Sequence, residues 1–288
     1  MIYFVFKKLV TIKDERLELL NELVNEMNKI MSSIGNGKIT RVEFSESLLV
    51  DSDRVEYEFI NDYQTYLKKI TEYNGCDNIG RYLYRGHSKV NYQLKPSLFR
   101  NKNFVENEVE MIEEMLVNCS HEFTDCHNQF EILVKLQHYG LPTRLLDVTE
   151  NPLVALYFAA EQSEESYGEV ILFKKNNKVV YEFDESIQNF RIEHMEKCVN
   201  LNHRVIKPRR TNERIRNQEG LFIYVSDLSG TERTLEDDRY KKNGKVQLLI
   251  IKDKKTILNE LAMIGINKAK MYPEIDEVAS HIKNKYSN

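Results

Sequence analysis

No stretch of this sequence is both uncharged and long enough to cross a bilayer, which argues against a helical membrane protein. Basic residues are not in excess either: 41 Lys and Arg stand against 45 Asp and Glu, a formal net charge of -4. That balance argues against a general nucleic-acid or membrane-surface binder and leaves room only for a local basic groove. Cysteine is scarce, and the four present have no regular spacing, as expected of reduced thiols in a cytoplasm. Tryptophan is absent, which decides nothing. There is no internal repeat and no low-complexity segment. The start, Met1-Ile2-Tyr3-Phe4-Val5-Phe6-Lys7-Lys8, is apolar but short. Its lysines follow the apolar run and no small-residue cleavage site comes after, so it reads as the start of a buried strand or helix rather than a signal peptide.

What is present is the composition of a folded chain, 41% hydrophobic and 30% charged, long enough at 288 residues for one large domain or two small ones. Leu17, Leu20, Leu23, Val24, Met27 and Ile30 recur at helical spacing over 14–31, and Gly35-Asn36-Gly37-Lys38 breaks that helix. This predicts a helical lead-in over 1–53 and a main domain over 54–288. A second helix is expected over 55–73, with Phe59, Tyr63, Tyr66, Leu67 and Ile70 as its buried stripe. A turn over 75–80 then leads to a short strand, Arg81-Tyr82-Leu83-Tyr84, ending at Arg85-Gly86.

Segments 108–119 and 129–139 read as helices, the second stopped by Gly140 with Pro142 beyond. A strand over 143–148 precedes Asn151-Pro152, a cap followed by proline at the first helical position. That helix runs to about 162, with Ala155, Ala159 and Ala160 permitting close packing. Strands are expected over 169–173, 178–183, 221–225 and 246–251, and closing helices over 256–264 and 273–285. Helices gathered first and strands later indicate α+β rather than a βαβ alternation.

Chemistry concentrates in a few places. Arg85, at a strand end before Gly86 and His87, offers a fork of donors suited to a phosphate or carboxylate, with room at the glycine for a ligand to approach. Gln137, His138, Tyr139, Thr143, Arg144 and Asp147 crowd a helix-to-strand junction around a glycine and a proline, and cannot all be core. Asp147-Val148-Thr149-Glu150-Asn151-Pro152 sets a carboxylate and a hydroxyl beside a helix N-terminus, an end that attracts phosphate. Arg204, Lys207, Arg209, Arg210, Arg214 and Arg216 form a basic run that is either a solvated loop or a basic lip, with Gln218 or Glu219 at the cleft. Cys119, His121, Cys126 and His127 fit no common zinc spacing, and no metal is expected.

Together these motifs resemble the FRG-domain family, named for an aromatic-Arg-Gly motif. Tyr84-Arg85-Gly86 matches the name motif, and Lys95-Pro96-Ser97-Leu98-Phe99-Arg100 the Pro-x-hydrophobic segment after it. The most distinctive stretches are Gln137-His138-Tyr139-Gly140-Leu141-Pro142-Thr143-Arg144-Leu145-Leu146-Asp147 and Asn151-Pro152-Leu153-Val154-Ala155-Leu156-Tyr157-Phe158-Ala159. Pro208, Arg214 and Gln218-Glu219-Gly220-Leu221-Phe222 resemble the family's Arg-then-Gln-x-Gly-x-Phe element. Residues 261–266 with Tyr272-Pro273-Glu274-Ile275 resemble its ending, so the likeness spans roughly 55–282.

A second similarity is to arginine-class ADP-ribosyltransferases, which order an aromatic-Arg-Gly, a Ser-Thr-Ser leading into an Ala-x-x-Phe helix, and a strand-borne glutamate. Here Tyr84-Arg85-Gly86, Asp147-Val148-Thr149 and Gln218-Glu219-Gly220 stand in that order, with Asp147 for the first serine and no carboxylate at the usual glutamate unless Glu219 supplies it. The resemblance implies N-terminal helices on a mainly antiparallel or mixed split sheet, and NAD as the substrate. It implies that Arg85 holds an NAD phosphate, that Thr149 orients Arg85 or the nicotinamide ribose, and that Tyr139 stacks on the nicotinamide. Glu219 or Asp147 stabilises an oxocarbenium-like transition state, and His87 or His138 serves as base. Tyr84, Gly86, Arg144 and Asn151 complete the implied NAD-binding set, and Gln218 the catalytic one.

It further implies a bacterial, cytoplasmic toxin or phage-defence effector with a protein or nucleic-acid acceptor and a partner or antitoxin protein. Two other readings compete. One is a non-catalytic nucleotide- or anion-binding regulatory module using Arg85 and Arg144; the other is a metal-independent nuclease using His138 and the basic run.

Overall fold

Apolar and acidic residues alternate in Val55-Glu56-Tyr57-Glu58-Phe59-Ile60, and the segment is a strand, β1 (Val55–Ile60), where the apolar spacing predicts a helix. The override is tertiary: β1 lies parallel to β9 (Lys245–Ile251), in register from Val55↔Val246 to Ile60↔Ile251. Asp62 then starts a helix by accepting from the Thr65 backbone N–H at 2.7 Å and its hydroxyl at 2.8 Å, so only the later part of the expected helix exists, as α1 (Tyr63–Asn74).

The computed structural model describes residues 55–285 apart from 75–81, 91, 163–165, 176–178, 211 and 227–234. The expected lead-in over 1–53, with its helix and glycine break, and the turn over 75–80 lie outside the described residues. The remaining strands are β2 (Tyr82–His87), β3 (Leu145–Thr149), β4 (Gly168–Lys174), β5 (Val180–Tyr181), β6 (Val205–Lys207), β7 (Gly220–Tyr224) and β8 (Lys241–Lys242). The remaining helices are α2 (Lys102–Glu106), α3 (Glu108–Asn118), α4 (Gln129–His138), α5 (Pro152–Ala160), α6 (Glu185–Gln188), α7 (Glu213–Gln218), α8 (Lys254–Met263), α9 (Lys268–Met271) and α10 (Ile275–Lys285). The expected α+β class holds, and the strand expected over 178–183 shortens to β5.

Among the described residues nine strands form one mixed sheet in the order β1-β9-β4-β2-β3-β7-β6-β5, with β8 on β9. Its weakest line is central. β2 is laddered to β4 from Tyr82↔Lys174 to His87↔Glu169, and β3 to β7 from Leu145↔Tyr224 to Thr149↔Gly220. Between β2 and β3 there is a single pair, Tyr84↔Thr149. Two well-bonded halves therefore meet at one residue pair, and beyond it they part.

The packing repeats this division. On one face, α1, α5 and α8 cover the first half around Ile60, Tyr66, Tyr84, Leu156, Leu249 and Leu261. On the second half, α3 and α4 bury Ile112, Phe130, Leu136, Leu145, Phe222 and Tyr224. Leu83, Leu146, Val148, Ile171, Phe173, Leu221 and Ile223 share the other face with Leu94 and Phe99 from the segment after β2. Helix α5 lies directly on the strand backbones: a Cβ on Gly86 would stand 2.1 Å from the Ala155 carbonyl oxygen, and one on Gly168 2.0 Å from that of Ala159. The alanines of α5 are matched by glycines beneath them, so the space a side chain would need at Gly86 is filled by helix backbone, while the residue itself lines the candidate cavity described below.

Candidate functional site

Beyond Tyr84↔Thr149, antiparallel pairing would next set Arg85 opposite Val148 and Gly86 opposite Asp147, and neither pair forms. The Arg85 side chain bridges the gap. Its Nη1 donates to the Asp147 carbonyl oxygen at 2.6 Å, taking up an acceptor the missing ladder leaves, and its Nε donates to His87 Nε2 at 3.0 Å. The same Nη1 stands 3.7 Å from Asp147 Oδ2, and Nη2 makes no hydrogen bond among the described residues. Burial lowers the Arg85 pKa, with Asp147 opposing the shift.

Over this seam the two helical groups stand apart and enclose a cavity of about 210 Å³. Arg85, Asp147 and Thr149 come from its floor, Gln137 and His138 from the end of α4, Phe158 from α5, and Arg214 and Gln218 from α7. Asp147 faces the cavity rather than the core, with 61% of its side chain exposed. Gln137 Nε2 donates to Asp147 Oδ1 at 2.7 Å, and the Thr143 hydroxyl donates to the other end of that amide. The His138 ring lies 6.5 Å from that of Phe222, and burial together with Arg214 lowers its pKa, favouring neutral imidazole at pH 7. Thr149 donates to the Gln218 carbonyl oxygen at 2.7 Å and accepts from the Asn151 backbone N–H at 3.0 Å. Gln218 Nε2 donates to the Met271 carbonyl oxygen at 2.8 Å, tying α7 to the C-terminal segment.

Tyr84 also lines the cavity, and the other residues singled out in the sequence are engaged away from it. The Tyr84 ring is in the core, its hydroxyl paired with the Asn74 side chain at 3.0 Å. His87 is buried, and burial, Arg85, Arg239 and Arg100 push it down to about 2, so it is closed as a base. Tyr139 lies outside the cavity lining, its hydroxyl donating to Glu122 Oε2 at 2.7 Å, so the stacking role does not fit its position. Arg144 is buried against Glu108, with Nη2 to Oε2 at 2.6 Å and Nη1 to the Ser226 carbonyl oxygen; its guanidinium holds strands to α3 and offers nothing to a ligand.

Asn151 caps α5 by accepting from the Leu153 N–H at 2.9 Å, which occupies the helix end expected to attract phosphate. Its Nδ2 donates to Glu219 Oε1 at 2.7 Å. Glu219 ends α7 in a left-handed conformation, φ 47°, which turns its side chain to Asn151 and out of the cavity lining.

The basic run is divided between carboxylate partners, exposed positions and the cavity. Lys207 lies 2.7 Å from Glu150, Arg209 3.5 Å from Glu131 and Arg210 3.8 Å from Glu150, so these three stand beside carboxylates. Arg214 differs: its guanidinium lies over the Tyr272 ring at 4.8 Å and reaches the cavity. Sequence reasoning left Arg214 undistinguished within the run. The usable signal was its spacing of four from Gln218, which on a helix puts both on one face.

No curated protein and no solved structure matches the chain. Residues 80–168, which supply β2, β3 and α5 and so the seam and most of the cavity floor, match the family model of the FRG domain, and the chain therefore carries an FRG domain.

Proposed function

We propose that the cleft binds NAD and that the protein cleaves its nicotinamide–ribose bond, passing ADP-ribose to an acceptor or to water, with Asp147 as the carboxylate beside the reacting carbon. The observation that carries this reading is the exposed Asp147 carboxylate, fixed by Gln137 at 2.7 Å and standing 3.7 Å from Arg85 in one cavity. As the glycosidic bond breaks, its electron pair leaves with nicotinamide and positive charge builds on the ribose, where a carboxylate is stabilising. Gln137 occupies Oδ1 and leaves Oδ2 for a ribose hydroxyl. Arg85 keeps donors for a phosphate, and neutral His138 accepts the proton of the attacking hydroxyl.

The fit is partial enclosure. About 210 Å³ is below the roughly 300–1,000 Å³ of pockets that enclose a drug-sized ligand. The nicotinamide end would therefore lie inside and the adenosine end outside. Consumption of cellular NAD in this way suits a toxin or defence effector restrained by a partner protein.

The test is nicotinamide release by the purified full chain, with water and with protein or nucleic-acid acceptors. Wild type should release nicotinamide, Asp147→Asn should slow release by about 100-fold or more, and Glu219→Gln should change it far less. No release under any of these conditions, or equal rates for wild type and Asp147→Asn, would contradict the proposal. A non-catalytic nucleotide-binding module is the second reading, favoured by the engagement of Glu219 with Asn151; it predicts stabilisation by NAD without release.

A further inference from the structure

Arg214 is the least satisfied cation at the cavity. Its Nε is buried without a hydrogen-bond partner, and the nearest carboxylate among the described residues, Glu274, stands 3.6 Å from Nη1, too far for a good hydrogen bond. A guanidinium has five N–H donors, and no acceptor within hydrogen-bond distance is present for those of Arg214 among the described residues. Its position is nevertheless fixed. The ring of Tyr272 supports it at 4.8 Å, and Tyr272 is itself anchored by its hydroxyl on Glu161 at 2.8 Å and edge-on to Phe158 at 6.2 Å. An arginine held in place with its donors unspent is preorganised for an anion. Arg85 lines the same cavity from the floor, so two arginines on separate elements, β2 and α7, line one cavity.

We infer that Arg214 is a second phosphate-binding arm, and that the cleft selects ligands carrying two linked phosphoryl groups, one for Arg85 and one for Arg214. The inference rests on the cleft being a nucleotide site, but it concerns binding and needs no turnover. It also gives the C-terminal segment a part in recognition, because Tyr272 holds Arg214 in position.

The experiment compares inorganic pyrophosphate with inorganic phosphate, titrated calorimetrically into the full chain without divalent metal and at constant ionic strength. Pyrophosphate should bind wild type about tenfold or more tighter than phosphate. Arg214→Gln should lower pyrophosphate affinity by about 10-fold to 100-fold and leave phosphate within about twofold. Arg214→Lys, which keeps the charge but loses the fork, should fall between and serves if the glutamine variant does not fold. Equal affinities for the two anions, or pyrophosphate affinity unchanged in both variants, would overturn the inference. Pyrophosphate binding through Arg214 without nicotinamide release would refute the NAD-cleaving reading alone. Nicotinamide release with the same KM in wild type and Arg214→Gln would refute this inference alone.

Discussion

Two arginines of the family motifs, Arg85 and Arg144, do opposite work. Arg144 is spent in the interior on Glu108, a pair whose removal from one side would leave a buried charge, whereas Arg85 sits in a seam with donors to spare. Residue type and position in the motif could not separate them; their partners do, a buried carboxylate for Arg144 and a carbonyl with a neutral imidazole for Arg85. The same holds for the carboxylates. Asp147 is exposed in the cavity, whereas Glu182 is 2% exposed beside Glu131 and the Arg209 backbone N–H, which donates to it at 2.5 Å.

Burial and the neighbouring Glu131 push Glu182 up to about 7. In the unfolded chain a glutamate titrates near ~4.3, so between those values the folded protein holds a proton that the unfolded chain releases. The stability from neutral Glu182 is complete below about 4 and is lost as pH rises through about 7. Glu182→Gln stays neutral throughout. Urea midpoints at pH 5 and pH 8 should therefore fall further for wild type than for Glu182→Gln, and parallel changes would count against a protonated Glu182.

At the scale of elements, legibility followed the range of the signals. Asn151-Pro152 caps α5, Gly140 ends α4 with φ 87°, and the β-rich run at 246–251 is strand β9; each signal is read within a few residues. β1 was misread because its partner, β9, follows about 190 residues later, and five apolar residues at helical spacing spanned the strand and the following helix. The short elements β6, β8, α2, α6, α7 and α9 lack enough residues to show a period. Gly86 was legible as a motif residue but not in its reason, since α5 supplies the constraint from about 70 residues away. Gly86→Ala should cost about 1–3 kcal/mol, as overpacking does, and lower the Tm by several degrees. A melting temperature equal to wild type would mean that α5 does not press on β2 as described.

For the whole molecule, the single pair Tyr84↔Thr149 is the organising fact. It lets one continuous sheet carry two helical groups with a cavity between them, and it leaves Arg85 to bridge the gap. Much of that cavity was legible, because Arg85, His138, Asp147, Thr149 and Gln218 all line it. Tyr139, Arg144, Asn151 and Glu219 were indistinguishable from these in sequence, because a turn of a helix end or of a strand decides which way each points. Arg214 and Phe158 complete the walls from helices brought in by the tertiary fold.

The most direct measurement is calorimetric titration of NAD into the full chain, with Arg85→Ala and Arg85→Lys compared at matched folding by circular dichroism. Binding to wild type, weakened by about 10-fold to 100-fold in Arg85→Ala and less in Arg85→Lys, is the predicted result. No binding to wild type, or equal affinity in Arg85→Ala, would contradict an NAD site at the seam.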